Sequence, residues 1–349
     1  MHRHIGALLG AALIAAAAAP AASAQQHAAR PQYHVVGHIK IGGDGFWDYL
    51  TADPAHHHLF LSHGTLVHVV DMTTGKVVGE ISPTPGVHGI ALAPDLNRGF
   101  VSDGRDSTVT VFDLTSLKVL GTVKVTGRNP DAITYDPISH RVFTFNGGSD
   151  NATAIDAASD SVVGTVALPG RPEEGTPDGQ GHVYANIEDK SEIAVIDSKA
   201  LTVTGQWSLA PCDGPSGLTM DTAHRRLFSG CGNQVMAVSD PDAGKVVASV
   251  HVGRGVDGTA FDPGADLVFI PNGADGTLTV IHEDTPDTYT VAQTVTTERG
   301  ARTITLDDQT HRVYVPTAKF GPPPAQAPAG GRRRPSIVPG SFEVVVVAP

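Results

Sequence analysis

The chain is poor in cysteine, in aromatic residues and in positive charge, and each shortage closes off a class of protein. Two cysteines in 349 residues cannot make a disulfide-dense scaffold. Lys and Arg number 24 against 36 Asp and Glu, a formal charge of −12. That balance argues against broad electrostatic binding to nucleic acid or to an anionic membrane, both of which need a basic face to displace counterions. A local basic patch is still compatible with the sum. Aromatic residues make up only 5%, but hydrophobic residues reach 40% and charged residues stop at 17%, the composition of a folded globular chain. Also missing are a GxSxG elbow, a P-loop, a CxxC pair and an HExxH helix, which speaks against the commonest hydrolase, nucleotide, redox and zinc-protease chemistries.

One long apolar run exists, at the start. His2, Arg3 and His4 precede an apolar stretch over residues 5–19, followed by Pro20 and the small-residue ending Ala22-Ser23-Ala24. This is the pattern of a secretory signal cleaved after Ala24. An uncleaved anchor is the alternative, but the stretch is shorter than the roughly 20 residues a spanning helix needs. Cleavage of residues 1–24 removes one basic residue and no acid, leaving 23 − 36 = −13 for residues 25–349. The expected location is a periplasm or the cell exterior, with no membrane span.

Length alone suggests two domains, but an internal repeat overrides that count. Phe60, Phe100, Phe143, Tyr184, Phe228, Phe269 and Tyr314 each sit between small or apolar residues, at spacings of 40, 43, 41, 44, 41 and 45. Seven positions before most of them stands a turn residue, as at Asp53-Pro54, Ala93-Pro94, Asp136-Pro137, Asp221, Asp262-Pro263 and Asp307; Asp178 stands six before Tyr184. Alternating β-branched segments with Gly, Asp and Pro punctuation predict four short antiparallel strands per unit and no helix. Four strands in about 40 residues is the blade of a β-propeller. The seventh unit lacks its last strand after residues 341–347, and residues 35–41 copy the missing one. The chain is therefore expected to be all-β, a single seven-bladed propeller closed by its N-terminal strand. With no large free edge, it is expected as a monomer. Residues 321–340, rich in Pro and Gly with Arg332, Arg333 and Arg334, predict a solvated insertion or a docking arm for an acidic partner.

The repeated tetrads Phe60-Leu61-Ser62-His63, Phe100-Val101-Ser102-Asp103, Phe269-Ile270-Pro271-Asn272 and Tyr314-Val315-Pro316-Thr317, with Phe143-Thr144-Phe145-Asn146, Tyr184-Ala185-Asn186 and Phe228-Ser229-Gly230-Cys231, resemble the YVTN-type propeller repeat family, which includes secreted YncE-like proteins. The resemblance covers residues 33–349. It implies a seven-bladed binding scaffold, often without known chemistry, although some related propellers are lactonases or carry metal or haem sites. DNA binding by analogy with YncE-like proteins meets the objection of the −13 charge.

In a propeller, the segment before each innermost strand reaches the central channel, so one offset should yield a ring. Five residues before each turn position stand Asp48, His88, Asp131, Glu173, Ser216, Asp257 and Arg302. Around them lie Trp47, Arg128, Arg171 and Glu174, and the ends of the second strands, His63, Asp103, Asn146 and Asn272, are expected on the same rim. Such a rim would bind a small polar molecule, a partner peptide or a divalent cation such as calcium, with Asp48, Asp131, Glu173 and Asp257 as oxygen ligands. It would alternatively serve a hydrolase or lactonase, with Asp131, Glu173 and Glu174 as acid, base or metal-holding groups and His88 as proton carrier. The plain alternative is turn-closing Asp and Asn, with ring charges neutralised by Arg. His63 and His88 raise a transition-metal site, but the ring is mostly oxygen. His140, His224 and His311 recur in one turn, followed by Arg, so periodicity accounts for them without ligation. Cys212 precedes the first strand of the fifth unit and Cys231 ends its second, so a disulfide is expected; free thiols or a soft-metal pair are the alternatives.

Overall fold

The computed structural model describes residues 1–2, 31–322 and 335–349. Most of the expected signal (1–24) and Arg332, Arg333 and Arg334 lie outside the described residues.

Seven four-stranded antiparallel sheets form from Gln32 onward. Blade two shows the pattern: Val87–Ala93, Arg98–Asp103, Thr108–Asp113 and Val119–Lys124, each strand hydrogen-bonded to the next. Blade seven combines Thr305–Asp307, Arg312–Thr317 and Glu343–Ala348 with His34–Lys40 from the other end of the chain. His34 pairs with Ala348 and Lys40 with Glu343. The N-terminal strand thus fills the place left by the incomplete seventh repeat, and the sheet edge there is paired.

The repeat aromatics explain how the blades stack. Phe60, Phe100, Phe143, Phe228 and Phe269 are completely buried. They join apolar clusters that each draw on two neighbouring blades: Phe60 with Val101 and Phe112, and Phe269 with Val313, Val315 and Val345. Removing such a ring would cost about 3–5 kcal/mol. Cys212 and Cys231 form a disulfide, with Cα atoms 5.6 Å apart. Among the described residues, no helix is long and apolar enough to cross a membrane.

Candidate functional site

The positions five before each turn gather at one end of the central channel because the strand ladder is interrupted there. In blades two to five, the pairing of the first two strands shifts register between Val87 and Ile90, Pro130 and Ile133, Pro172 and Gly175, and Pro215 and Leu218. His88, Asp131, Glu173, Glu174 and Ser216 stand inside these gaps, where a bulge re-aims side chains away from the regular alternation. In blades one, six and seven the first strand begins only at Leu50, Ala260 and Thr305, so Asp48, Asp257 and Arg302 lie in the segment before it. The second strands hold this backbone in place. The Ser62 hydroxyl accepts from Asp48 N–H (2.9 Å), Ser102 accepts from Gly89 N–H (2.8 Å) and donates to the Asp131 carbonyl, and the Asn186 amide donates to the Ser216 carbonyl (3.1 Å).

Around the mouth the side chains meet across blades. His88 Nδ1 lies 2.7 Å from Asp48 Oδ2 and 3.4 Å from Asp131 Oδ1. Arg302 donates from Nε to Asp257 (2.5 Å) and from its terminal nitrogen to the other Asp48 oxygen (3.2 Å). Asp48 is therefore shared by an imidazole and a guanidinium. Space for His88 comes from Gly104, where a Cβ would fall 2.7 Å from the imidazole ring. Behind the ring, the channel continues as a cavity of about 470 Å³ lined by Tyr49, Glu174, Thr134, Thr219, Phe261 and Thr305. A groove of about 350 Å³ runs outward past Phe46, Asp48, His88 and Arg105.

Charge at this mouth is unbalanced. Asp48, Asp131, Glu173, Glu174 and Asp257 share one guanidinium, Arg302, and one imidazole, His88. Burial, then the Asp48 charge, raises the Asp131 pKa above the ordinary carboxylate range. Burial raises Glu173 as well, followed by a hydrogen bond with Glu188, which itself pairs with Arg171. Burial pushes Glu174 up to about 8 despite the hydrogen bond it accepts from Leu218 N–H (2.8 Å). Asp257 is raised by burial even with Arg302 against it. For His88, burial opposes the charged form, but the Asp48 hydrogen bond and the neighbouring carboxylates win and lift it above its usual value. Protons thus occupy a site that carries too many acids for its own cations. The Asp48, His88 and Asp131 ligand atoms all lie within 4.8 Å of one another, an arrangement compatible with a divalent cation.

Comparison with known proteins shows the architecture alone. No protein-family profile and no curated protein sequence matches the chain. Among solved structures it is similar to Kuenenia stuttgartiensis hydrazine synthase, with a TM-score of 0.68 and 18% identity over 80% of this chain and 94% of that one. At that identity the likeness is one of fold.

Several expected rim residues are placed differently. His63, Asp103, Asn146 and Asn272 are buried and turn into their own blades. Asp103 accepts from Thr110 (2.7 Å), and Asn146 and Asn272 donate to Thr153 (3.0 Å) and Thr279 (2.8 Å). His63 lies 3.2 Å from His68 and stacks on Phe342; burial, then His68, moves its pKa down to about 4. Trp47 is also buried, stacked on Phe342, so the aromatic open at the mouth is Phe46, with the Arg302 guanidinium 5.8 Å from its ring centre. Arg128 turns back to the Gly148 carbonyl. The expected oxygen cage also changes: Asp257 is taken by Arg302 and Glu173 by Glu188, while His88 joins Asp48 and Asp131. Sequence reasoning missed Gly104 and Glu188, neither of which stands at the repeated offset.

A second acid and His cluster, Asp221, His224 and Glu283, has its ligand atoms within the same 4.8 Å limit. It stands at the opposite end of the blades, at the turn between the first two strands of blade five. There His224 lies 2.7 Å from Asp221, as the turn residue His56 does from Asp53, and Glu283 joins it from blade six.

Proposed function

We propose that this protein is a secreted binding propeller of the YVTN/YncE-like kind, whose acidic channel mouth takes a divalent cation or the cationic part of a small polar molecule or peptide. The observation that carries this reading is the crowding of five carboxyl groups around His88 and Arg302, with burial raising the pKa of four of them. A bound cation would displace those protons, and metal binding coupled to proton release is the ordinary behaviour of such sites. The imidazole beside Asp48 and Asp131 favours a borderline ion more than calcium, which prefers oxygen throughout. Periplasmic or extracellular location rests on the N-terminal pattern, and the Cys212–Cys231 disulfide accords with an oxidising compartment.

Calorimetric titration with Mn²⁺, Zn²⁺ and Ca²⁺ in buffers of different ionisation enthalpy tests the proposal. Proton release that disappears in Asp131→Asn supports it; no binding by any of these ions, or by cationic ligands in a thermal-shift screen, would overturn it. A hydrolase reading has one observation in its favour. Glu174, buried between the ring and the cavity, holds a proton up to about pH 8 and so offers a general acid beside a candidate binding space. That reading requires turnover that is lost in folded Glu173→Ala or Asp131→Ala protein.

A further inference from the structure

We infer that Asp221, His224 and Glu283 form a second, independent site for a zinc-class divalent cation between blades five and six. Three observations converge on it. First, the turn supplies a fixed pair: Asp221 caps its own turn by accepting from Ala223 N–H (2.8 Å), and its second oxygen meets His224 Nδ1 at 2.7 Å. Second, blade six reaches across. Its third strand, Thr277–Thr285, has nine residues where the third strand of blade five, Val235–Asp240, has six. That extension carries Glu283 past the end of the normal ladder and places its carboxylate 3.3 Å from His224 Nδ1.

Third, Glu283 is a buried charge-bearing group without a hydrogen-bond donor. The residue is 4% exposed, and neither carboxylate oxygen receives a hydrogen bond. The Tyr289 hydroxyl beside it donates instead to the Pro286 carbonyl. Leaving a carboxylate so placed is costly unless it takes up a proton or something positive completes the group.

The turn in blade one shows that the third ligand is what distinguishes this place. His56 meets Asp53 at the same 2.7 Å, but among the described residues no third acid or His joins that pair in a cluster tight enough for an ion. Two carboxylates and one imidazole suit zinc or a similar borderline ion better than calcium. Ligand atoms around a tetrahedral zinc with bonds of about 2.0 Å sit roughly 3.3 Å apart, and the His224 to Glu283 separation already matches this. Three protein ligands leave a fourth position open to water or to a group from outside.

The test uses the purified full chain, stripped with chelator and titrated calorimetrically with Zn²⁺ and, separately, Ca²⁺. Variants are Glu283→Gln, His224→Asn and Asp131→Asn, with far-UV circular dichroism to establish that each is folded. His224 is half exposed at its side chain, so His224→Asn keeps the test valid if Glu283→Gln does not fold. The expected result is a Zn²⁺ equivalent, separate from any held at the channel mouth, that weakens by about 100-fold in His224→Asn and Glu283→Gln, survives in Asp131→Asn, and outcompetes Ca²⁺. Zinc binding unchanged in both blade-five and blade-six variants, zinc binding lost only in Asp131→Asn, or no zinc binding at all would overturn the inference. Because Asp131→Asn acts at the channel mouth and His224→Asn at the other end, failure of one site is distinguishable from failure of the other.

Discussion

The channel mouth and the outer cluster both combine Asp, Glu and His, yet the mouth adds an arginine to hold its negative charge. At the mouth, Asp48 is held by both His88 and Arg302, and Asp257 has Arg302. At the outer cluster, Asp221 has His224, but Glu283 only shares that imidazole and accepts no hydrogen bond. The mouth carries one guanidinium, Arg302, for its five acids and opens to a cavity of about 470 Å³, as a site for exchangeable ligands would. The outer cluster has only the His224 imidazole for its two carboxyl groups, as suits a site completed by one tightly held ion. The difference teaches that the donor set alone does not define a site; the charge left uncompensated around it does.

The largest effect that bears on both ends is expected at blade five, which supplies Ser216 to the mouth and Asp221 and His224 to the outer cluster. Its strands are tied by the Cys212–Cys231 disulfide, 19 residues apart in sequence. Cys212→Ser with Cys231→Ser should cost about 3 kcal/mol of unfolding free energy, read from urea denaturation. If stability is unchanged, the disulfide is not what sets blade five between the two clusters.

Arg302→Ala comes next. It strands Asp48 and Asp257, and because these groups are partly exposed the loss should be about 2–3 kcal/mol, below that for a fully buried pair. Millimolar divalent cation should restore part of it by taking the guanidinium's place. In contrast, Glu283→Gln removes a charge that only shares the His224 imidazole and should leave metal-free stability unchanged or higher by about 1 kcal/mol. Equal losses in the two variants would erase the distinction between a compensated and an uncompensated cluster.

Smaller still is the expected effect of Gly104→Ala. The added methyl meets the His88 ring at 2.7 Å and should push it off Asp48, weakening cation binding at the mouth by about 10-fold while leaving the outer zinc equivalent intact. Loss at both ends would point to general damage to the blades.

The two clusters also differ in how far they were legible beforehand. A closed repeat converts equal sequence offset into equal position around an axis, so counting from the turn residues found Asp48, His88, Asp131, Asp257 and Arg302 correctly as neighbours. Direction was harder to read. Asp103, Asn146 and Asn272 stand at the right height, but threonines seven residues on, at Thr110, Thr153 and Thr279, capture them within their own blades. Trp47 and Phe46 differ by one place, and which one is open depends on Phe342 from the far end of the chain. Glu283 had no periodic signal at all. Third strands in blades one to five end at Asp71, Asp113, Asp156, Asp197 and Asp240, and the extension in blade six creates its position.

The smallest predicted effect is also the one that tests the proton argument at the mouth. Glu174 titrates at about 8 in the folded chain against its ordinary value of roughly 4.3 when unfolded. Between those values the folded state keeps a proton that the unfolded state has lost, so stability falls as pH rises. His88 adds in the same direction: its contribution is complete below about 6.5 and is lost as pH climbs through its raised folded value. His63, moved down to about 4, has the opposite sign, adding stability as pH rises from about 4 to 6.5 and nothing further above that. The melting temperature should therefore decline between about pH 6.5 and 8, where Glu174 and His88 act without opposition from His63. Glu174→Gln should make the decline shallower, and so should saturating divalent cation, which binds the deprotonated mouth most tightly where the protons have left. A flat or rising profile over that interval, measured by thermal unfolding in chelator, would mean that the carboxyl groups at the mouth are already ionised and need no cation to replace their protons.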